Sequence, residues 1–255
     1  MKGQVRNRIT AKDKSAGPFS SVHAILFDLG GTLDAEGVDW ATRFHKLFRA
    51  EGLRMSFPTF QKTSERVLAA FAARPEVHAW RLAPAIGHNV RAMSEPLGIR
   101  SPVAQRRIAS RMVQDLMKNA RASAPVLKKL RSRGYRLGLI SNNVGNTVPV
   151  LRDEGLLHLF DTVLDSTIER VKKPDPEIFH RALRRLNLPA AHATYVGDTF
   201  ENDVAGPKRV GMSAVWYQGP VKRPCPDRNL PDATIRKLAD LLGHFPGPPA
   251  RESKA

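Results

Sequence analysis

The chain has 255 residues, 42% of them hydrophobic, and a formal net charge of +17. That length accommodates one large domain or a core with a sizeable insertion, and the apolar content argues against wholesale disorder. No apolar run approaches the roughly 20 residues needed to cross a bilayer, so no membrane span is expected.

The opening stretch, "MKGQVRNRITAKDKSAGPFS", is basic and polar with no apolar segment. It is expected to be a mobile tail rather than a secretory signal, with a mitochondrial-type presequence as the minor alternative. An apolar run, Ala24 to Phe27, then delivers Asp28 onto a Gly-Gly turn followed by Thr32. About ninety residues follow with helical periodicity and no convincing strand. Trp40, Phe44, Leu47 and Phe48 share one helix face, and Val67, Leu68 and Phe71 share a second. A third candidate helix runs from Pro102 through Met112, Leu116 and Met117. The interval is too long for an ordinary connection and predicts a helical insertion over the strand ends, hinged near 34–37 and 120–125.

Beyond it the pattern changes. "YRLGLISNN", "FDTVLDST", "ATYVGDT" and "SAVWYQ" read as short buried strands, separated by amphipathic stretches such as "TVPVLRDEGLL" and "DPEIFHRALRRLNL". With "VHAILFD" they predict an α/β fold built on a doubly wound parallel sheet with both faces covered. Ligands of such sheets bind outside the carboxyl ends of the strands, at the topological switch point. The predicted organisation is a basic tail over 1–20, an α/β core over 21–34 and 122–245, the helical insertion over 35–121, and a Pro/Gly-rich tail over 246–255.

The polar residues at the strand ends are the candidates for chemistry. Asp28 is placed to act as a nucleophile or a metal ligand, and Thr32 can donate a hydroxyl to an oxyanion on the same turn. Ser141 can grip a second oxygen. Lys173, whose backbone Pro174 restricts, can neutralise a phosphate and a carboxylate together. Asp198 and Asp203 supply oxygen ligands of the kind that suit Mg²⁺. Taken singly, each has a plainer reading: Asp28 and Asp198 as helix caps, Ser141 as a turn former, Lys173 as a solvated lysine.

In that order, "DLGGTL", Ser141 in "LISNN", Lys173 in "KPDPEIF" and "GDTFEND" resemble the four motifs of the haloacid dehalogenase superfamily, in the subgroup with a helical cap after the first motif. The resemblance implies a Rossmann-like core and a two-step phosphoryl transfer in which Asp28 forms an aspartyl-phosphate that water hydrolyses. It implies Mg²⁺ held by Asp28, the Gly30 carbonyl and Asp198, with Asp203 in support. Thr32, Ser141, Asn142 and Lys173 would bind the phosphoryl oxygens of a small phosphorylated substrate.

One part of the pattern is missing. Family phosphatases usually carry a second Asp where this chain has Gly30; it protonates the leaving oxygen and is worth about 10²–10⁴ in rate. Asp34, Glu36 or His45 are the residues considered as substitutes, and Arg43, Lys46 and Arg49 as cap groups that could meet an anionic substrate. The expectation is a weak phosphohydrolase that prefers leaving groups able to depart without a proton. The alternative is a catalytically impaired relative that binds a phosphorylated ligand or a partner. Basic clusters such as "QRRIASR" lack interleaved aromatics and read as solvated helix faces, so nucleic acid is not the expected partner although the charge leaves it open. The single cysteine, Cys225, fits a reducing cytoplasm, and the expected state is a monomer or homodimer.

Overall fold

The computed structural model describes residues 17–220 and 224–249. Most of both expected tails therefore lies outside the described residues. Six strands form one parallel sheet: β1 (Ala24–Phe27), β2 (Arg136–Ser141), β3 (Thr162–Asp165), β4 (Ala193–Gly197), β5 (Ser213–Tyr217) and β6 (Ala233–Ile235), in the order β3-β2-β1-β4-β5-β6. β1 pairs with β2 on one side and β4 on the other, so the winding reverses between β1 and β4. All four side chains of β1 are fully buried, as strands covered on both faces require. Ile25 and Phe27 face one apolar cluster with Leu139 and Leu127, while Ala24 and Leu26 face another with Ile178 and Phe179. The doubly wound α/β fold is as expected. The sixth strand was not anticipated: three residues, "ATI", are too short to establish a period.

The insertion contains α1 (Trp40–Ala50), α2 (Phe57–Ala72) and α3 (Leu82–Ser94), then α4 (Pro102–Ser132). Asp39 caps α1 by accepting from Thr42 N at 2.9 Å. The periodicity pointed to α1, α2 and the start of α4 but not to α3, because Pro84 and Gly87 lie inside it and lower helix propensity. Its buried face, Ile86, Val90 and Met93, supplies the packing that outweighs them.

α4 departs from expectation. It runs 31 residues without a break, through the predicted boundary at 121/122 and through Pro125. No loop separates insertion from core on this side: the expected hinge near 120–125 falls inside a continuous helix. The second half of the helix is held to the sheet by Leu127 and Leu130, and Ser123 Oγ donates to Leu33 O at 2.8 Å. That packing outweighs the single backbone bond a proline removes. Phe44, Phe60 and Met112 of the insertion join the same apolar cluster as Phe27 and Leu139 of the core. A second attachment lies opposite, at α5 (Thr147–Asp153), where Asp153 accepts from Leu82 N at 2.9 Å and from Arg81 Nε at 2.7 Å.

Candidate active site

Asp28 follows β1 and its backbone N donates to Val196 O of β4 at 2.9 Å, which fixes it at the winding reversal. The turn after it is closed by Leu29 O, which accepts from Thr32 N and Leu33 N. Gly31 has φ +94° and lies so close to Asp198 that a Cβ there would stand 2.7 Å from its Oδ1. Only glycine meets both the conformation and the approach. Asp198 follows β4, and its carbonyl accepts from Trp216 Nε1 at 3.0 Å. Asp203 sits in a π-helical turn, Phe200–Ala205, and its Oδ2 accepts from Thr199 N at 2.9 Å.

Lys173 joins these groups. Its ammonium is buried, 2.7 Å from Asp28 Oδ1, 2.7 Å from Asp203 Oδ1 and 2.8 Å from Tyr195 OH. Burial disfavours the charged lysine, but the Asp203 and Asp28 carboxylates outweigh it and hold its pKa well above the usual value. Burial pushes Asp28 up to about 7, against the pull of Lys173 and with a further push from Asp203. Tyr195 OH passes the chain on, donating to Ile140 O at 2.8 Å. Lys173 is held from its backbone as well: Asn142 Nδ2 donates to Lys173 O, and Lys173 N donates to Asn142 Oδ1, both at 2.9 Å. The two oxygen- and nitrogen-bearing arms of Asn142 thus orient Lys173, a use its expected role as a phosphate ligand did not include.

Asp28, Asp198 and Asp203, all buried, offer carboxylate oxygens within 4.8 Å of one another. Hard oxygen donors in such a set fit Mg²⁺. Thr32 Oγ1 stands 3.4 Å from Asp28 Oδ2, and Ser141 is buried at the end of β2. A cavity of about 210 Å³ opens over Asp28 and is lined also by Gly30, Ser141, Asn142, Asn143, Lys173, Thr199, Asn202 and Asp203, with Trp40 and Leu68 from the insertion.

The substitutes for the missing carboxylate are elsewhere. Asp34 is fully buried, with Oδ1 accepting from Gly31 N at 2.9 Å and Oδ2 accepting from Trp40 Nε1 at 2.8 Å. Burial raises its pKa to about 6, opposed by Arg43. It therefore braces the turn and Trp40. His45 is inside the insertion, its Nε2 2.9 Å from Met55 O, and Glu36 is exposed. Nor do the three basic residues of α1 reach the cavity. Arg43 is buried, donating to Asp115 Oδ2 at 2.6 Å and to Asp34 O at 3.0 Å, while Lys46 and Arg49 are exposed. Tyr195, Trp40, Thr199 and Asn202 were not singled out for this site. Tyr195 and Trp40 read as core aromatics in an apolar strand and an apolar helix face, and only the fold reveals their polar ends.

A family model described as "Hydrolase: haloacid dehalogenase-like hydrolase" matches residues 22–211. A glyceraldehyde 3-phosphate phosphatase of Pyrococcus abyssi is 45% identical over 98 residues, 36% of this chain and 40% of that protein. Haloacid dehalogenase-like hydrolase domain-containing protein 3 of Bos taurus is 30% identical over 166 residues, 60% of this chain and 65% of that one. The chain thus spans less than two thirds of the length of either relative. The crystal structure of a HAD phosphatase from Thermococcus onnurineus superposes with a TM-score of 0.54 at 26% identity, covering 90% of this chain and 100% of that one. The family match spans most of the chain and includes every strand-end residue described above, so the chain belongs to the haloacid dehalogenase-like hydrolases.

Proposed function

We propose that the chain is a Mg²⁺-dependent phosphohydrolase that moves the phosphoryl group of a small monoester to Asp28 and then to water. The observation that carries this reading is the buried Lys173 ammonium, held 2.7 Å from both Asp28 and Asp203 at the winding reversal. Asp28, Asp198 and the Gly30 carbonyl would hold the cation, with Asp203 in support. Bound there, Mg²⁺ supplies Lewis-acid neutralisation of the phosphoryl oxygens.

The protein's own groups do the rest by position and charge. Lys173 offsets the repulsion between Asp28 and an incoming phosphate. A carboxylate oxygen of Asp28 attacks phosphorus, the ester P–O bond breaks, and its electron pair leaves on the departing oxygen. Thr32 and Ser141 donate to the oxygens that stay on phosphorus, and Asn142 keeps Lys173 in place. Water then attacks the aspartyl-phosphate, the phosphorus–oxygen bond to Asp28 breaks with its electron pair returning to the Asp28 carboxylate, a proton of the water passes to solvent, and inorganic phosphate leaves. No group on Gly30 protonates the first leaving oxygen, and Trp40 Nε1 is already committed to Asp34. Substrates whose oxygen departs as a stable anion are therefore favoured.

A second reading rests on Trp40, which stands beside Gly30 where the family's acid would project: a relative that binds a phosphorylated ligand without turning it over. Phosphate release from 4-nitrophenyl phosphate with Mg²⁺, beside an Asp28→Asn control, separates the two. Release by the wild type that the variant loses supports the enzyme; no release by the wild type supports the binding protein.

A further inference from the structure

We infer that the ligand of the Asp28 cavity is a small aryl phosphate, its ring seated against Trp40 and Leu68. This deepens the phosphohydrolase reading and rests on it. The cavity has two chemically different walls. The core wall is polar and carries the phosphoryl-handling groups, among them Ser141, Lys173 and Asn202. The insertion contributes Trp40 and Leu68, both half-buried, and among the described residues no charged side chain of the insertion lines it. The leaving group thus faces an indole and a leucine.

Charge, size and chemistry converge on that wall. The α1 cation nearest the hinge, Arg43, is spent on Asp115 and Asp34, so among the described residues the insertion offers no cation to a second anionic group on the substrate. The cavity holds about 210 Å³. A cavity of about 150 Å³ suffices for benzene, so this one admits a single aromatic ring. Trp40 is also set in advance: its Nε1 is bonded to Asp34, and its ring meets Phe44 edge-on with centroids 6.1 Å apart. A ring that lands on it meets a surface already ordered, and aromatic pairs of this kind attract beyond their area. The absence of an acid at Gly30 asks for a leaving oxygen that is stable as an anion, a condition that phenolates and carboxylates both meet. The apolar wall distinguishes them, because a small carboxylate has no ring to bury.

Two substrates that need no leaving-group proton test this: 4-nitrophenyl phosphate and acetyl phosphate, with Mg²⁺ at neutral pH. Acetate is the weaker base, so leaving-group chemistry alone favours acetyl phosphate. The expected result is a kcat/KM at least tenfold higher for the aryl ester, with Leu68→Gln narrowing that ratio about tenfold through KM. Leu68 is half-buried on α2, and retention of the wild-type melting temperature certifies the variant's fold. Equal or faster turnover of acetyl phosphate, or a Leu68→Gln effect that is the same on both substrates, overturns the inference. A binding arm uses phenylphosphonate and methylphosphonate, which are not hydrolysed. Calorimetry should give at least tenfold tighter binding of the phenyl compound, and a smaller margin in Leu68→Gln. If neither substrate is turned over, the phosphohydrolase reading falls, and the two phosphonates alone decide the ring preference: equal affinities overturn it.

Discussion

Trp40 Nε1 stands 3.3 Å from the point where a Cβ on Gly30 would be built, and the same nitrogen donates to Asp34 at 2.8 Å. The place of the missing acid is thus crowded from the insertion, and the crowding side chain is anchored. Restoring the acid is correspondingly a two-part operation. Gly30→Asp alone should raise turnover of glycerol phosphate by less than about tenfold, because the new side chain must displace an anchored indole. Gly30→Asp with Trp40→Leu should approach about 10²-fold, the lower end of general acid–base catalysis. Steady-state kinetics on the two variants checks the order.

Metal binding should depend on the turn as much as on the ligands. Asp198→Ala removes a carboxylate and should weaken Mg²⁺ binding at least tenfold by calorimetry. Gly31→Ala removes no ligand, yet its Cβ would stand 2.7 Å from Asp198 Oδ1 in a left-handed backbone conformation. It should weaken Mg²⁺ comparably and cost about 1–2 kcal/mol of stability. Unchanged affinity in both variants would remove Asp198 from the site.

Much of this is legible in the sequence. The strand-end residues were readable because each parallel strand is buried on both faces, so an unbroken apolar run ends abruptly where a polar group meets the cavity. Asp28, Ser141 and Asp198 carry that mark; Lys173, expected at a strand end, instead lies in the turn eight residues beyond β3 and was legible only from its place in "KPDPEIF". What escaped reading was set by contacts between elements. α3 was hidden by Pro84 and Gly87, β6 by its three-residue length, and the continuity of α4 by Pro125. Asn142 was expected as a phosphate ligand; its bonds to the Lys173 backbone were not foreseen, because they span 31 positions that no local pattern joins. Arg43 was expected as a cap group able to meet an anionic substrate, and its burial follows from Asp34 and Asp115 converging on it from two other segments.

That convergence gives a stability prediction. Arg43→Met keeps the aliphatic stem but leaves the buried Asp34 without its cation. Losing one partner of a buried pair costs about 3–5 kcal/mol. Asp115 is half-exposed and water can take over its share, so the lower end is expected here, a fall in melting temperature of roughly 6–12 °C.

Glu154 is another buried acid, 5% exposed, and among the described residues neither of its oxygens has a hydrogen-bond partner. Burial raises its pKa well above 4.5, with a further push from Asp34, a pull from Arg43 and a push from Asp153. A carboxyl raised in this way holds its proton more tightly folded than unfolded. Its contribution is therefore fully present below the unfolded value and is lost as pH rises through the folded one. Glu154→Gln should match the wild type near pH 4.5 and melt several degrees higher at pH 8, since an unsatisfied buried charge costs about 1–3 kcal/mol. Equal melting temperatures at both values would contradict this assignment.

The orientation of Lys173 should be separable from the folding of the site. Asn142→Ala deletes both bonds to the Lys173 backbone while leaving the ammonium's three partners in place. A fall in kcat of about tenfold is expected, with KM and melting temperature little changed, because a small misplacement of a charge-neutralising group acts on the transition state.

The account turns on Asp28 becoming phosphorylated. Mixing the protein with 4-nitrophenyl phosphate and Mg²⁺, quenching in acid within the first turnovers and mapping peptides by mass spectrometry tests this directly. The account predicts one phosphoryl group on the peptide containing Asp28, absent from Asp28→Asn, and longer-lived in the wild type than in Gly30→Asp with Trp40→Leu. Phosphate release that proceeds with Asp28 unmodified, or that survives in Asp28→Asn, would contradict it.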